Sequence, residues 1–468
     1  MPPQAYNFVP SSLHRAPLPR MRAKVVPLFF FFSFVSFGMA FVSCFAFLVY
    51  STTFTPEQFG AKGDGTTDDT APIQQAFHAC AALQASSSAA SPCRVELAQS
   101  YLAGPLSLMS SNLRLEINGT LRMLPKSRYP APQSRPFITV CAGCELHDVT
   151  LTGGGLVNGG SSYSPGSWWL CARLGAKKDC DRPHLIALSD VTRLEISNLD
   201  LQDPANHFIE LSNTTTARVH GLAMSADNLS PNTDGINFYG GTDQLLTSTT
   251  IANGDDCVSV VSSGDPATPR CVSEPETCRG GSLVVENVTC LGGHGMAIGS
   301  VRHGVVENVT FRDIVLTREA TSTQDEYASG GTRIKVYPNG TGYIRNIHYE
   351  NIVYKRNVAF PIQIQGRYCP GGPKTCPPGN TAIKISNVTW RNISGSGGAL
   401  SGIVGEIECD PIEPCTHLVF ETIALSAEFK QPSWTILHAS GVAHDVVPPM
   451  ALNASPSSSA AFEEEEES

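Results

Sequence analysis

From about residue 94 onward, short runs of the chain alternate between apolar and polar residues, and each run ends at a glycine, asparagine or aspartate. Strict alternation over a few residues predicts half-buried β-strands. One phrase recurs among these runs: apolar, any, apolar, any, asparagine, apolar, any, apolar. Its copies, two of which lack the asparagine, are Leu194–Leu201, Arg218–Met224, Leu245–Ile251, Leu283–Cys290, Val305–Phe311, Ile344–Tyr349 and Ile383–Trp390.

The spacing of these copies predicts the architecture. Where nothing is inserted, neighbouring copies lie about 22–26 residues apart, a period typical of a solenoid. Helical repeats are excluded because the units alternate with a period of two and contain no long amphipathic stretch. We therefore predict an all-β fold, a single-stranded right-handed parallel β-helix. The recurring asparagine would bond to the coil above or below it.

The segment before the first strands predicts a helix. Glycines and aspartates over 54–70 are typical of turns, and Ile73, Phe77 and Cys80 are spaced as one face of a helix. We expect this helix, over Ile73–Leu83, to cover the end of the solenoid. Because no linker separates the internal copies, we predict one β-helix domain over about 54–445. The rest, 446–468, is rich in serine and glutamate and is expected to be disordered.

The N-terminus predicts the compartment. Residues 1–24 contain four basic residues and no acidic one, and 25–50 is a run of 26 residues without a charge. Such a run fits either a cleaved signal peptide or an uncleaved signal-anchor that spans a bilayer. Basic residues ahead of it place the body of the chain outside in both cases. The sequence therefore predicts a secreted protein, or alternatively a membrane-anchored one.

Cysteines and glycosylation sequons support an oxidising compartment. Of the 15 cysteines, 14 lie outside the apolar run, an even number that predicts disulfides. Zinc is the weaker alternative because no two pairs form a CxxC…CxxC array. The expected pairs are Cys80 with Cys93, Cys141 with Cys144, Cys171 with Cys180, Cys257 with Cys290, Cys271 with Cys278, Cys369 with Cys376 and Cys409 with Cys415. The N-x-S/T sequons typical of a glycoprotein are at Asn118, Asn213, Asn228, Asn287, Asn308, Asn339, Asn387, Asn392 and Asn453.

The charge of the chain limits its partners. The formal net charge is −10 and the pI is near 5.6, which argues against a nucleic-acid-binding protein because such proteins need a basic face. An anionic substrate would have to be held by local basic residues rather than by the overall field of the protein.

Three aspartates are the strongest candidates for chemistry. Asp234 and Asp255 lie 21 residues apart, close to one coil, so their backbones are expected about 5 Å apart on adjacent coils. Gly254 suggests a turn or bulge that lets both Asp255 and Asp256 reach one cleft. Carboxylates so close repel each other, and at least one should keep its proton to higher pH. A protonated acid beside an ionised base is what glycoside hydrolysis requires. The alternative is a set of solvated aspartates in turns.

Four motifs in order carry a family resemblance: Asn232-Thr-Asp-Gly235, Gly254-Asp-Asp-Cys257, Gly293-His-Gly295 and Arg333-Ile-Lys335. With them the chain resembles the polygalacturonases, family 28 of the glycoside hydrolases, over roughly residues 54–425. The resemblance implies hydrolysis of α-1,4-galacturonosyl bonds of pectin in the cell wall. It implies no cofactor and no metal, since the acid, the base and the substrate-binding groups are all side chains, and we expect a monomer.

The resemblance also implies catalytic roles. Asp255 would be the general acid, while Asp234 and Asp256 would hold and deprotonate the attacking water. The family inverts the anomeric centre, so acid and bases should stand on the order of 6.5–9.5 Å apart. His294 would tune the protonation of the acid; the alternative is a structural histidine in a glycine turn.

Further residues are candidates for substrate binding. Arg333 and Lys335 alternate within a predicted strand, so both could face one side and bind galacturonate carboxylates. Tyr368 would stack on or orient a sugar, or alternatively pack in the core. Asn232 and Gln365 are weaker candidates for contacts with sugar hydroxyls.

Residues 262–282 form an insertion between Cys257 and Cys290, and we expect it to wall one end of the cleft.

Three other functions are alternatives to the hydrolysis of polygalacturonate. They are another pectic hydrolase (exo-acting or specific for rhamnogalacturonan), a calcium-dependent pectate lyase, and an inactive β-helix that binds pectin.

Overall fold

The computed structural model describes residues 52–86, 92–174, 180–263, 269–317, 330–369, 382–398 and 401–453. Within them the helices are α1 Thr70–Ser86, α2 Trp168–Arg173, α3 Pro269–Ser273 and the 3₁₀-helices Pro56–Phe59, Lys126–Arg128 and Pro275–Thr277. The strands, in chain order, are β1 Thr53–Phe54, β2 Asp64–Asp68, β3 Cys93–Leu97, β4 Ser100–Ala103, β5 Leu106–Leu108, β6 Leu113–Ile117, β7 Thr120–Met123, β8 Ile138–Val140, β9 Leu146–Gly153, β10 Leu156–Asn158, β11 Ile186–Ser189, β12 Val191–Ser197, β13 Asp200–Gln202, β14 Ile209–Ser212, β15 Thr215–His220, β16 Ala223–Ser225, β17 Ile236–Tyr239, β18 Thr242–Asn253, β19 Asp256–Val261, β20 Arg279–Gly292, β21 Gly295–Thr317, β22 Gly330–Val358, β23 Phe360–Gln365, β24 Ala382–Gly397, β25 Ile403–Glu408, β26 Cys415–Ser426, β27 Ser433–Leu437 and β28 Ala439–Val447.

Every strand lies parallel to its counterparts on the coils before and after it. β12, for example, pairs in parallel with β9 on one side and β15 on the other. The chain therefore winds as a parallel β-helix, which confirms the predicted fold class. One row of strands, which we call the site sheet, positions the candidate residues. It consists of β11, β14, β17, β19, the first residues of β21 and β22, β23 and β25.

The interior is filled by side chains that stack from coil to coil. Successive residues of a strand point to opposite faces, so alternate positions are buried. In one column Phe311, Tyr349, Trp390 and Phe420 stack nearly face to face, with ring centroids 5.0, 5.5 and 4.8 Å apart. The column ties four coils together, because each aromatic ring contacts the one on the next coil.

The recurring asparagines form ladders along the outside of the coils. Asn387 donates its side-chain amide to Asn346 Oδ1 at 2.7 Å, and Asn346 donates to Asn308 Oδ1 at 3.1 Å. Asn392 donates in the same way to Asn351 Oδ1, at 2.8 Å. All five have φ between 52° and 58°, a left-handed conformation that asparagine tolerates better than most residues. These ladders explain why asparagine recurs in the motif. The side-chain amides of Asn387 and Asn392, which belong to N-x-S/T sequons, are part of them.

Helix α1 covers the first coil. Its buried residues include Ile73 and Phe77, and a disulfide between Cys80 and Cys93 joins it to β3. It begins and ends three residues beyond the predicted span. The buried carboxylate of Asp69 accepts hydrogen bonds from the backbone of residues 62 and 63, so it fixes the preceding glycine-rich loop.

Six of the seven expected disulfides are present: Cys80–Cys93, Cys141–Cys144, Cys171–Cys180, Cys257–Cys290, Cys271–Cys278 and Cys409–Cys415. The seventh includes Cys376, which lies outside the described residues, as do 1–24, 25–50 and 454–468. Among the helices of the described part, none is long and apolar enough to cross a membrane. At the other end, β28 runs to Val447 and Asn453 bridges to Ser440, so ordered chain continues beyond residue 445.

Replacement of Trp390 by alanine is expected to destabilise the protein by about 3–5 kcal/mol, because it empties the middle of the aromatic column. Trp390 is 0% exposed and also donates its indole N–H to Thr332 Oγ1. Urea denaturation would measure the loss. Val442→Ala is the control, since Val442 is 60% exposed and should change stability by less than about 0.5 kcal/mol. Equal effects of both changes would contradict a stabilising column.

Candidate active site

The three aspartates lie together at the ends of adjacent strands of the site sheet. Asp234 stands two residues before β17, and Asp255 and Asp256 stand at the start of β19. β17 pairs with β19, and the Gly235 N–H donates to the Asp256 carbonyl at 2.9 Å. Asp234 and Asp255, which are 21 residues apart in the sequence, therefore lie on neighbouring coils, as predicted.

The residues around the aspartates explain why the two motifs have these sequences. The buried Asn253 side chain donates to the carbonyls of Thr233 and Asp256, at 2.8 and 2.9 Å. The Thr233 hydroxyl in turn accepts from the Gly254 N–H at 3.0 Å. A Cβ on Gly254 would come within 2.3 Å of the Ser230 carbonyl oxygen, so only glycine fits. The motifs therefore interlock two coils and fix the backbone that presents the carboxylates.

The Gly293-His-Gly295 motif positions the imidazole in the same way. Gly293 has φ of +63°, and a Cβ there would meet the Asp255 carbonyl oxygen at 2.3 Å. This close approach lets the His294 N–H donate to that carbonyl at 2.8 Å. The imidazole Nδ1 lies 2.8 Å from Asp255 Oδ1. His294 is thus fixed to the candidate acid by both its backbone and its side chain.

A register irregularity brings the two consecutive aspartates to one place. The pairing of β19 with β21 shifts between Asp256 and Val258, and oxygens of Asp255 and Asp256 lie within 4.8 Å of a ring nitrogen of His294 and of each other. These two carboxylates are therefore closer than the separation of about 6.5–9.5 Å expected between acid and base. The bulge expected near Gly254 is present, but it follows Asp256. Bulges commonly redirect side chains in this manner.

The charge state of Asp255 is set by competition between burial and its neighbours. Burial alone would raise the pKa of Asp255. The hydrogen bond and charge of His294, together with the charge of Lys335, outweigh burial and hold the pKa of this carboxyl below its usual range. Burial likewise opposes protonation of His294, but Asp255 raises the pKa of the imidazole. The two groups therefore form an ion pair that holds one proton.

Asp234 is the carboxyl that keeps its proton to higher pH. It is 8% exposed, and burial raises its pKa to about 6. His207 and Lys335 oppose the rise, whereas the charges of Asp255 and Asp256 add to it. The expectation that one of three close carboxyls stays protonated thus applies to Asp234 in the free site.

The predicted basic pair faces the aspartates. The buried Lys335 amine forms an ion pair with Asp256 Oδ2, and the Arg333 guanidinium lies 4.0 Å from Asp256 Oδ1. Burial lowers the pKa of Lys335, but Asp256 more than compensates and leaves it raised. Lys335 therefore neutralises a carboxylate of the site itself, a role that the sequence pattern did not indicate.

The remaining substrate-binding candidates all contact other side chains of this chain. Tyr368 is half-buried, and the Lys335 amine lies 5.5 Å from the centre of its ring. Gln365 accepts from the Arg333 guanidinium at 3.0 Å, so it orients that cation. Asn232 accepts from Arg182 at 2.6 Å.

A cavity of about 460 Å³ adjoins the aspartates. It lies on the side of the later coils, and its lining residues include His294, Arg333, Gln363, Gln365, Tyr368 and Glu406. The cavity could hold a sugar unit with its polar groups against these side chains.

Arg182 lies beside the candidate residues, although the sequence pattern did not indicate it. Its guanidinium donates to the Pro231 carbonyl at 2.6 Å, to the Ala205 carbonyl at 3.0 Å and to Asn232. Burial lowers its pKa, while the charges of Asp234 and Asp255 act in the opposite direction. Arg182 therefore links the turns of successive coils and adds a positive charge beside the carboxyls.

His207 is the second residue missed. Its Nε2 lies 3.7 Å from Asp234 Oδ1, and its Nδ1 lies 2.7 Å from the Asn237 amide. His184, His207 and Asp234 each stand two residues before paired positions of the site sheet, Ile186, Ile209 and Ile236. A residue-by-residue assignment of the repeat register would have aligned them, but the sequence alone gave only the period.

Two groups of side chains in the described part could offer ligands to a metal ion: His184 with His207 and Glu210, and Asp255 with Asp256 and His294. In the second group the charges are already balanced, because His294 pairs with Asp255 and Lys335 pairs with Asp256. This donor set fits acid–base chemistry better than a cation site, since a metal would have to compete with a buried ammonium.

The described part of the insertion, 262–263 and 269–282, does not line the cavity beside the aspartates. It contacts neighbouring coils instead: the Val272 carbonyl accepts from the Thr341 hydroxyl, and Glu276 pairs with Arg345. The insertion follows the carboxyl end of β19, whereas the aspartates lie at the start of that strand. Six residues of extended chain, about 20 Å, separate the two places.

Comparison with known proteins gives a consistent set of relatives. The model of the glycosyl hydrolases family 28 matches residues 86–443. A polygalacturonase of Persea americana is 28% identical, covering 80% of this chain and 74% of its own. A polygalacturonase of Prunus persica is 27% identical, covering 86% of this chain and 96% of its own.

Solved structures share the fold. An exopolygalacturonase from Thermotoga maritima superposes with a TM-score of 0.63 at 19% identity, covering 81% of this chain and 89% of that one. An endo-xylogalacturonan hydrolase from Aspergillus tubingensis has a TM-score of 0.60 at 20% identity, with coverages of 84% and 100%. At these identities the likeness concerns the fold alone.

Asp234→Asn is expected to stabilise the protein at neutral pH. The folded pKa of about 6 exceeds the value of about 3.9 of an unfolded aspartate, so this group's contribution to stability falls as pH rises between the two. Removal of the ionisable group should raise the free energy of unfolding by up to about 3 kcal/mol above pH 6 and by little near pH 4.

Urea denaturation at pH 4 and pH 7.5 would measure this difference. Asp313→Asn is the matched control, since Asp313 is an exposed acceptor of the asparagine ladder and asparagine can replace it there. A gain for Asp234→Asn of the same size at both pH values would show that Asp234 is not a strained buried acid.

Proposed function

The chain belongs to the glycosyl hydrolases family 28, and from that premise we propose that it hydrolyses the α-1,4-linked galacturonosyl bonds of polygalacturonate in pectin. The observation that carries the proposal is the arrangement of three carboxyls with two cations. Asp255 is paired with His294, Asp256 with Lys335, and Asp234 is buried beside both. A site with one shared proton and ionised carboxylates next to it suits general acid–base cleavage of a glycosidic bond.

In the proposed reaction, Asp255 protonates the leaving glycosidic oxygen. The proton comes from the Asp255–His294 pair, in which the Nδ1 and Oδ1 atoms lie 2.8 Å apart. A bound sugar excludes water from this pair and favours the neutral form, in which the proton is on the carboxyl. His294 thereby acts as the group that keeps a proton within reach of the acid at a pH where an isolated aspartate would have lost it.

Asp234 and Asp256 hold the attacking water in this mechanism. The water loses its proton to one of these carboxylates as its oxygen bonds to the anomeric carbon from the face opposite the leaving group. The configuration therefore inverts. The Lys335 ammonium forms an ion pair with Oδ2 of Asp256 and so holds this carboxyl group in place. Burial of Asp234 means that it can serve as base above a pH of about 6.

Arg333 holds the galacturonate next to the cleaved bond. Its guanidinium faces the cavity and is oriented by Gln365, so it offers donors to a sugar carboxylate. Tyr368 lines the same cavity and provides an aromatic face for the ring. Since the Lys335 ammonium is already paired with Asp256, the Arg333 guanidinium is the cation through which a protein of net charge −10 could bind an acidic polymer here.

The proposed substrate fits a place outside the cell. Polygalacturonases of Persea americana and Prunus persica are among the relatives, which supports pectin of a cell wall as the substrate and an extracellular enzyme. A calcium-dependent lyase on this fold is the second candidate, since the carboxylates could attract a cation. The Lys335–Asp256 ion pair disfavours it.

One assay separates these functions. Residues 52–453 are incubated with polygalacturonate with and without a chelator, and reducing ends are quantified together with absorbance of unsaturated sugars. Saturated reducing ends that form at the same rate with chelator are the expected result. Unsaturated products that disappear with chelator would instead establish a lyase, and a protein that binds the polymer but releases no ends would establish a binding module.

Asp255→Asn is expected to lower kcat by about 10²–10⁴, because it removes the proton donor while keeping the shape of the site. Initial rates on polygalacturonate would measure it. Asp190→Asn is the control, since Asp190 is an exposed acceptor for Asn213 on an earlier coil and should leave kcat unchanged. Turnover of the Asp255 variant at the wild-type rate would exclude Asp255 as the acid.

A further inference from the structure

Two parallel rows of side chains cross the site sheet from Arg333 and Lys335 toward the C-terminus. Arg333 pairs in register with Gln363, and Gln363 pairs with Glu406. In the second row, Lys335 pairs with Gln365, and Gln365 with Glu408. Both rows therefore run cation, amide, carboxylate over three consecutive coils. Because strands stack about 4.8 Å apart, the carboxylates stand roughly 10 Å beyond the cations.

The acidic end of the first row belongs to the cavity beside the aspartates, and Glu408 of the second row follows Glu406 by two residues on the same strand. Glu406 and Gln363 line the cavity together with Arg333 and Tyr368. Among the described residues neither Glu406 nor Glu408 takes part in an ion pair. Burial and the charge of Glu406 raise the pKa of Glu408, as two uncompensated carboxylates should.

Gln363 adds an independent feature. It is 3% exposed, and its amide N–H donates to Glu406 Oε2. Its carbonyl Oε1 has no hydrogen-bond partner in the described part of the chain. A buried acceptor without a donor is costly, so a ligand that brings a hydroxyl donor to it is favoured.

We propose that the surface formed by Gln363, Gln365, Glu406 and Glu408 is a sugar-binding subsite for an uncharged unit, such as a methyl-esterified galacturonosyl residue. The inference rests on the proposed hydrolysis. The galacturonate at the cleaved bond is bound through its carboxylate by Arg333. Further along, the subsite offers acceptors to hydroxyl groups and repels a second free carboxylate. The enzyme then discriminates by the esterification of the unit on that side.

Charge repulsion at this distance sets the size of the effect. Partly exposed charge pairs change binding by up to a few fold, and half-buried ones by more. Glu406 is half-buried and Glu408 exposed. Glu406→Gln is therefore expected to raise kcat/KM on fully de-esterified oligogalacturonate about three- to tenfold, while kcat/KM on partly methyl-esterified oligomers of the same length changes little. Glu408→Gln should change the same ratio less.

The experiment compares wild type, Glu406→Gln, Glu408→Gln and the control Glu421→Gln on both oligomers, with chelator present. Glu421 pairs with Arg391 on another face of the coils and should leave both rates unchanged. If the wild type cleaves and Glu406→Gln leaves the ratio of rates unaltered, the subsite inference is overturned. A wild type that cleaves neither oligomer overturns the proposed hydrolysis instead.

A second measurement needs no variant. Competitive inhibition of the wild type by trigalacturonate is compared with inhibition by trigalacturonate that carries one methyl ester at a terminal unit. The subsite predicts about three- to tenfold tighter inhibition by one of the two monoesters. Equal inhibition by all three compounds contradicts it, even if Glu406→Gln fails to fold.

Discussion

Stacking of the coils in register is the interaction on which the rest of this structure depends. Parallel pairing fixes each residue against its counterpart one coil away, about 4.8 Å distant. A turn on one coil can therefore place a side chain next to one from the adjacent coil, so that both contribute to the same site. Asp234 and Asp256 reach one another in this way, and so do Arg333, Gln363 and Glu406. Errors in register would separate these groups, so the devices that set register are also devices that build the site.

Those devices are of three kinds. Inside, aromatic rings such as Trp390 and Phe420 stack along the axis and resist slippage because each fills the space beside the next. Outside, asparagines with left-handed backbones, such as Asn346 and Asn387, donate amides from coil to coil. At the site itself a third device appears, in which Asn253 and Thr233 bond to backbone groups of the adjacent turn. The rigid frame explains how buried, mutually repelling carboxyls can be held together.

The charges of the site are arranged so that each carboxyl has a different state. Asp255 shares a proton with His294, Asp256 faces the ammonium of Lys335, and Asp234 is protonated at acid pH because it is buried. Three residues of one type thus acquire different properties from different neighbours. The cost is stability, since an ionised buried aspartate disfavours the folded state above its pKa. The change from a positive charge at Lys335 to a negative charge at Glu408 likewise gives different positions along the bound polymer different properties.

The sequence by itself determined the period of the repeat, the β class and the order of the motifs, because alternation and spacing are local properties. From the period it also placed Asp234 and Asp255 on adjacent coils. Several features required the tertiary structure: the bulge after Asp256, the pairing of Lys335 with Asp256, and the positions of Arg182 and His207. These depend on which residues of different coils stand in register, and the insertions of variable length between copies hide that register from the sequence.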